Sequence, residues 1–145
     1  MAASADRMAG YELAHEDFDV APDPELTEPG DFTEEGGQAA MRALLARAPD
    51  IDAVFAASDL MAAGALRELE RSNRKVPTDV ALVGFDDAPV ARHTQPQLTT
   101  VHQPIEDLGR ELAAMLVRLL GGGPASPVIL PTRLVVRGSA PAVGG

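Results

Sequence analysis

Two short apolar runs with an amphipathic segment between them constrain the fold of this chain most. Residues 53–57 and 80–85 have the length and composition of strands that are buried on both faces. Between them, apolar residues recur at the spacing of one helix face, at Ala62, Ala65, Leu66 and Leu69. A strand, a helix and a second strand in this order predict a parallel βαβ unit and an α/β fold.

The rest of the chain extends this pattern in both directions. Residues 6–14 predict a short helix, and a proline-containing connection with room for a short strand follows it. Thr33 has the chemistry of an N-cap, for a helix that continues to about Arg47. One helix is therefore expected on each side of this connection.

The C-terminal third predicts one more strand, a long helix and a return strand. After the extended run 98–101, Pro104 is expected at the first position of the helix, and Glu106 is expected to pair with Arg110. The helix has an apolar stripe and ends at three glycines; the stripe is Ile105, Leu108, Leu112, Leu116 and Leu119. Residues 128–136 predict a last strand, interrupted at Pro131.

Composition excludes several classes of protein. With 145 residues, 46% of them hydrophobic, the chain has room for one domain or part of one. The formal net charge of -10 disfavours direct binding to a phosphate backbone, and the lack of cysteine excludes disulfides and thiolate chemistry. No basic start leads into an apolar run, and no apolar run approaches the roughly 20 residues of a membrane span. Neither secretion nor membrane insertion is expected.

Polar and aromatic residues collect where the predicted strands end. In parallel sheets, ligands bind outside the carboxyl ends of strands, and residues 31–33, 58–59 and 86–87 lie at such junctions. An aromatic ring beside carboxylates and hydroxyls suits a sugar. Each residue also has a simpler role: Ser58 or Asp59 as the cap of the next helix, Phe32 as a core side chain. Asp86 and Asp87 are adjacent, so only one of them is expected to face the cleft.

Neither a metal site nor a catalytic group emerges from the residues. His15, His93 and His102 are scattered without the spacing of metal ligands. No serine lies in a Gly-x-Ser-x-Gly turn, and no second carboxylate is positioned to assist Asp86. We therefore expect no enzyme, no metal and no cofactor.

Six segments of the chain resemble the lactose/galactose-repressor (LacI-type) family of transcription regulators, in that family's order. They are residues 6–11 (DRMAGY), 30–33 (GDFT), 57–65 (ASDLMAAGA), 76–87 (VPTDVALVGFDD), 97–101 (QLTTV) and 136–139 (VRGS). The resemblance implies a periplasmic-binding-protein-like type I fold, a parallel-sheet βαβ sandwich. The chain would be its incomplete second half, the C-terminal part of a two-lobed effector-binding region.

The resemblance also implies a division of the chain and a function. Residues 1–101 would be the C-terminal lobe, 102–131 a crossover and a helix of the partner lobe, and 132–145 a return strand and tail, with the DNA-binding headpiece absent. The implied function is sensing of an effector, usually a sugar, and dimerisation in a cytoplasmic bacterial regulator, which controls DNA binding allosterically through a helix-turn-helix headpiece. The alternatives are a solute-binding protein for sugar uptake and, more remotely, a sugar hydrolase that uses Asp86.

Site residues follow from the resemblance position by position. Arg7 looks like the arginine that grips the effector and Phe32 like the aromatic that stacks on it, while Asp86 resembles the cleft aspartate that accepts hydrogen bonds from it. Polar contacts are implied for Ser58 and Gln103, and Asp87 is expected to support the loop. Because some sugar-binding members carry asparagine where Ser58 stands, the identity of the sugar stays open.

Self-association is the last expectation. The resemblance places a dimer surface on the helix from Leu60 and the loop 88–96, with Leu60, Ala63, Gly64, Arg67, Val90 and His93 as its candidate residues. In the family the helix 105–120 packs in the other lobe, so its stripe would be bare here. Five large aliphatic side chains, at about 1.5 to 3 kcal/mol each when fully buried, are too much apolar surface to leave in water. Association through the dimer surface or through an exchanged helix is expected.

Overall fold

A sheet of four strands organises the molecule in the computed structural model, which describes residues 2–140. The strands are β1 (Ala53–Phe55), β2 (Ala81–Asp86), β3 (Thr99–His102) and β4 (Arg133–Val135), and they lie side by side in that order. β1 pairs with β2 and β2 with β3 in parallel, whereas β4 returns antiparallel to β3. The sheet is thus parallel with one antiparallel edge strand, as the α/β prediction requires.

Four α-helices accompany the strands within residues 2–140. They are α1 (Ala2–Asp17), α2 (Glu34–Arg47), α3 (Asp59–Arg71) and α4 (Ile105–Leu120), with short 3₁₀ helices at Pro24–Leu26 and Pro89–Arg92. α3 connects β1 with β2, so the predicted βαβ unit is confirmed. None of these helices is long and apolar enough to reach across a bilayer.

Side-chain caps start the two central helices where the sequence predicts them. Thr33 Oγ1 accepts a hydrogen bond from the backbone N–H of Gly36 at 2.9 Å and begins α2. Ser58 Oγ accepts from the N–H of Met61 at 3.2 Å and begins α3. Each cap satisfies one of the amide donors that the first turn of a helix leaves unpaired. Of the two predicted caps of α3, Ser58 is therefore the one used.

The core lies between the sheet and the pair α2 and α3. Its fully buried members come from both helices, from β2 and from the loops that flank the strands, and the largest are Met41, Leu69, Val80, Leu82 and Leu98. Gly64 lets the helices approach each other, because a Cβ on it would lie 1.9 Å from the carbonyl oxygen of Glu34. Nearby, Arg42 donates from Nε and Nη2 to the two carboxylate oxygens of Glu68, at 3.0 and 2.9 Å. α2, α3 and the sheet form one tightly packed unit.

The first strand differs from its prediction. Residues 53–57 predict a strand buried on both faces, but β1 ends at Phe55, which is 41% exposed, and Ala53 is exposed as well. The reason is topological: β1 is an edge strand of the sheet, and no strand among residues 2–140 covers its outer side. The same residues 2–140 hold no strand before residues 31–33, so this junction follows a 3₁₀ turn and not a strand end.

The C-terminal third also departs from the expected details. Pro104 precedes α4 as its N-cap and is not its first helical residue. Arg110 pairs with Asp107, three residues earlier, at 2.5 Å, and not with Glu106. β4 covers three residues of the predicted 128–136, because only these pair with β3.

α4 buries none of its residues, although it has the apolar stripe that the sequence predicts. Ile105, Leu112 and Leu116 are 57%, 56% and 58% exposed. By contrast, the chain after β4 returns to the sheet at Ser139, which is 0% exposed and donates from Oγ to the carbonyl oxygen of Leu82 at 2.5 Å. The bare stripe agrees with the expectation from the sequence.

Candidate functional site

Arg7 of α1 joins two strand ends at the carboxyl edge of the sheet. Its Nη1 donates to the carbonyl oxygen of Ala57, just after β1, at 2.7 Å. Its Nη2 donates to Oδ1 of Asp86, the last residue of β2, at 3.3 Å. The arginine side chain is 13% exposed and the aspartate side chain 34%. A guanidinium with several donors is therefore held beside a partly open carboxylate.

Two aromatic rings flank the guanidinium of Arg7. The Cζ atom lies 4.1 Å from the centre of the Phe85 ring and 5.7 Å from that of Phe32, both within the range of cation–π attraction. Phe85 is absent from the residues predicted for the site. Its signal was its place directly before Asp86, but strand alternation sends neighbours to opposite faces. The φ angle of 115° at Asp86 breaks that alternation, so both residues reach Arg7.

The carboxylate of Asp86 is partly free. Gln103, which follows β3, donates from Nε2 to Oδ1 of Asp86 at 2.6 Å, so Oδ1 accepts bonds from both Gln103 and Arg7. No hydrogen bond from residues 2–140 ends on Oδ2. This oxygen can accept a hydrogen bond from a ligand hydroxyl while its partner oxygen stays anchored.

Asp87 turns away from this group and holds the loop. Its carboxylate, 3% exposed, accepts from Arg137 at 2.5 Å and lies 3.1 Å from Nδ1 of His102. Burial by itself raises the pKa of Asp87, but hydrogen bonds from Arg137 and His102 and the charges of Arg137 and Arg92 outweigh it, so the pKa lies below its usual value. Only one of the two adjacent aspartates faces the open side, which agrees with the prediction, and Asp87 supports the loop.

A third carboxylate, Asp59, is fully buried beneath the site. Burial is the main cause that raises its pKa, with smaller contributions from the nearby negative charges of Asp86 and Asp87, while hydrogen bonds from Thr100 and Ala88 act in the opposite direction. Asp59 therefore does not cap α3, since Ser58 does, and its carboxylate instead accepts from Thr100 and Ala88.

Four of the five residues predicted to bind ligand gather around one point. Arg7, Phe32, Asp86 and Gln103 are linked through the guanidinium and the carboxylate just described. Ser58 lies apart: it is 4% exposed, and its hydroxyl already serves as the cap of α3. Its burial follows from its position inside the first turn of a packed helix.

The residues predicted for a dimer surface divide into two sets. Leu60 is 47% exposed, and Arg67 and His93 are exposed, while Val90 is half-buried. Ala63 is 4% exposed, and Gly64 lies against the backbone of α2, so these two have no open surface with which to touch a partner. They are buried because α3 contacts α2 on one side and the sheet on another.

A cavity of about 1150 Å³ extends from Arg7 along β1, between α1 and α2. Its walls include Tyr11, Phe32, Met41 and Phe55, so its lining is mostly apolar. Arg7 also lines it, whereas Asp86 and Gln103 do not. Among residues 2–140 no group of three His, Cys, Asp or Glu side chains could hold a metal ion. Aromatic rings, a guanidinium and an acceptor oxygen at one point can recognise a polar ligand with an apolar face.

Known proteins resemble this chain over nearly all of its length. The family model for the periplasmic binding protein-like domain matches residues 2–140. The HTH-type transcriptional regulator CelR of Thermobifida fusca is 51% identical over 141 residues, which are 96% of this chain and 42% of CelR. The HTH-type transcriptional regulator MalR of Streptomyces coelicolor is 44% identical over 123 residues, or 83% of this chain and 35% of MalR.

A solved structure of a related regulator is also similar to this chain. The complex of the transcriptional regulator CelR with cellobiose superposes with a TM-score of 0.90 at 51% identity, covering 94% of this chain and 42% of the CelR chain. The chain thus spans less than half the length of the relatives it matches. These relatives are transcription regulators, which are not enzymes, and this agrees with the sequence-based expectation.

Proposed function

Because this chain belongs to the periplasmic-binding-protein-like domain family, in its lactose/galactose-repressor (LacI-type) branch, we propose that it senses a small-molecule effector for a cytoplasmic transcription regulator. The whole regulator would bind operator DNA through a helix-turn-helix headpiece, and the effector would shift the equilibrium between its DNA-binding states. The acidic chain described here would touch no DNA itself. Uptake of a sugar is the weaker alternative, since the relatives are regulators.

The observation that carries this proposal is the cluster of Arg7, Asp86 and Gln103 at the carboxyl edge of the sheet. A sugar presents hydroxyl groups around its rim and C–H bonds on its faces. Oδ2 of Asp86 can accept from a hydroxyl, and Phe32 can stack on a face, as the family resemblance implies. Ser58 stays a candidate contact, because its Oγ accepts from the N–H of Met61 and its own O–H can still donate.

We propose a glucose disaccharide such as cellobiose as the effector. CelR, at 51% identity, has been solved as a complex with cellobiose. A second sugar ring can lie in the apolar cavity beside Arg7.

Calorimetric titration of the whole gene product with cellobiose tests this proposal. Wild-type protein is expected to bind, and Asp86→Asn is expected to weaken binding at least tenfold, because a hydrogen bond to a charged group contributes about 1.5 to 3 kcal/mol. Asp107→Asn is the matched control: this carboxylate lies on α4 and bonds only Arg110, so affinity should not change. Absence of binding to cellobiose and to other disaccharides, or equal affinity of wild type and Asp86→Asn, would contradict the proposal.

We further propose that residues 1–101 form one lobe and that α4, within 102–131, packs in the other lobe of the whole regulator. Residues 132–145 would return to the first lobe, and the burial of Ser139 supports this. The whole protein would dimerise through the exposed residues on α3 and on the loop after β2, namely Leu60, Arg67, Val90 and His93.

Light scattering of the 145-residue chain tests the part that concerns α4. The chain is expected to self-associate, because its apolar stripe is bare, and the double variant Leu112→Glu/Leu116→Glu should weaken association more than tenfold. If the wild-type chain is monomeric, the exposed apolar stripe of α4 does not drive association, and this part of the proposal fails. The double variant Glu106→Gln/Glu111→Gln, elsewhere on the same helix, is the control.

A further inference from the structure

The buried carboxylate of Asp59 connects three elements behind the candidate site. It starts α3, is 0% exposed, and accepts a hydrogen bond at Oδ2 from the backbone N–H of Ala88 at 2.7 Å. At Oδ1 it accepts from the hydroxyl of Thr100, on β3, at 2.6 Å. One side chain therefore joins the helix, the loop after β2 and the neighbouring strand.

The sheet has a space that this carboxylate fills. Gly84 of β2 is the register partner of Thr100, and a Cβ at Gly84 would lie 2.3 Å from Oδ1 of Asp59. Any larger residue at this position would displace the carboxylate from Thr100. The glycine in the middle of a central strand, normally unfavourable, is explained by this close approach.

The turn after β2 has a backbone that needs such support. Asp86 and Asp87 have φ angles of 115° and 55°, in the left-handed half of conformational space that residues other than glycine rarely adopt. Conformations of this kind persist only where the surroundings determine them. The Ala88 N–H bond to Asp59 holds the turn from behind, and Arg137 holds it from the other side through Asp87.

We infer that Asp59 is a positioning residue of the effector site: through Ala88 and Thr100 it fixes the turn that presents the Asp86 carboxylate to Arg7, Gln103 and the ligand. The part that concerns the ligand rests on the proposed function. The part that concerns the turn does not. Asp59 itself touches no ligand and acts only through the position of Asp86.

Amide hydrogen exchange, read by NMR, tests the turn without any ligand. In Asp59→Ala, which removes both carboxylate oxygens, the amide of Ala88 should exchange at least tenfold faster than in wild type, because the amide loses its acceptor. The amide of Leu82, buried in β2, should exchange as before and shows that the variant is folded. Thr100→Val, which removes only the other bond, should give a smaller increase. Unchanged exchange at Ala88 in a folded Asp59→Ala protein would overturn the inference.

A double-mutant cycle with cellobiose tests the effect on the site. In the whole gene product, Asp59→Ala should weaken binding at least tenfold when Asp86 is present and less than twofold in the Asp86→Asn background. A merely structural role would weaken binding equally in both backgrounds, and that result would overturn the inference. Leu69→Ala, which disturbs the core at the end of α3 far from the turn and does not line the cavity, controls for lost stability. If wild type binds no cellobiose, the proposed function fails. The hydrogen exchange of the Ala88 amide then tests by itself whether Asp59 holds the turn.

Discussion

α3 and α4 carry similar apolar stripes and have opposite surroundings. α3 lies between α2 and the sheet and buries Ala62, Ala65 and Leu69 almost completely. α4 is three residues longer and richer in leucine, yet none of its residues is buried. An amphipathic stripe therefore shows that a helix needs a cover, while the rest of the fold decides whether the chain itself supplies one.

α1 is also held less firmly than α2 and α3. α1 is joined to the sheet by the hydrogen bonds of Arg7 to Ala57 and Asp86, whereas α2 and α3 share a backbone contact at Gly64 and a two-point ion pair between Arg42 and Glu68. The candidate site lies on the boundary between these regions. Its carboxylates belong to the packed unit, and its arginine belongs to the loosely attached helix.

The largest expected effect is on the free energy of unfolding, when a leucine is shortened to alanine in α3 and, for comparison, in α4. Leu69→Ala removes a side chain that is 0% exposed and should cost about 2 to 5 kcal/mol of unfolding free energy, through lost burial and the cavity left behind. Leu116→Ala removes one that is 58% exposed and should change stability little. Urea unfolding of both variants at low protein concentration measures the difference. Similar losses for the two would mean that α4 is packed after all.

Glycine substitutions are expected to act in opposite directions in the two regions. Gly64→Ala should cost about 1 to 3 kcal/mol, because its new methyl group meets the backbone of α2 and forces the helices apart. Gly109→Ala, in the middle of α4, meets nothing within 4 Å and should stabilise the helix by about 0.5 to 1 kcal/mol through its better helix propensity. Circular dichroism during thermal unfolding tests both. If Gly64→Ala were neutral, the close contact of α2 with α3 would be refuted.

The smallest expected effect on stability is the pH dependence due to the ion pair of Arg42 on α2 with Glu68 on α3. Hydrogen bonds from Arg42 and then Gln38 lower the pKa of Glu68 below its usual 4.5. Since the folded pKa is lower than the unfolded one, the pair stabilises the protein fully above about pH 4.5, and this stabilisation is lost as the pH falls through the lowered pKa.

Urea midpoints measured from pH 7 down to pH 3 test this expectation. The midpoint of Glu68→Gln should lie below that of wild type at pH 7, and the gap should narrow on acidification. Asp107→Asn, which breaks an exposed pair on α4, should follow wild type throughout. A gap that stays constant with pH would show that Glu68 acts through packing and not through its charge.

Much of the site could be predicted from sequence, because its residues stand at the ends of recognisable elements. Arg7, Phe32, Asp86 and Gln103, chosen from the family resemblance, lie close together in the structure, and their binding of an effector stays a prediction. Phe85 was missed because strand alternation sends it away from Asp86, and only the unusual φ of Asp86 brings the two together. Ala63 and Gly64 looked like surface residues because small side chains in a helix do not reveal which neighbour approaches them.

The sequence by itself determined the order of helices and strands, the cap at Thr33 and the parallel βαβ unit, because periodicity, capping and turn chemistry act within a few residues. It left two candidates for the cap of α3, and the structure uses Ser58. Only the tertiary structure decided that β1 is an edge strand, that α4 lies bare and that Asp59 is buried behind the site. These features depend on which distant segments are neighbours in space. The apolar pattern of a strand or a helix states that a face needs covering, and long-range packing alone selects what covers it.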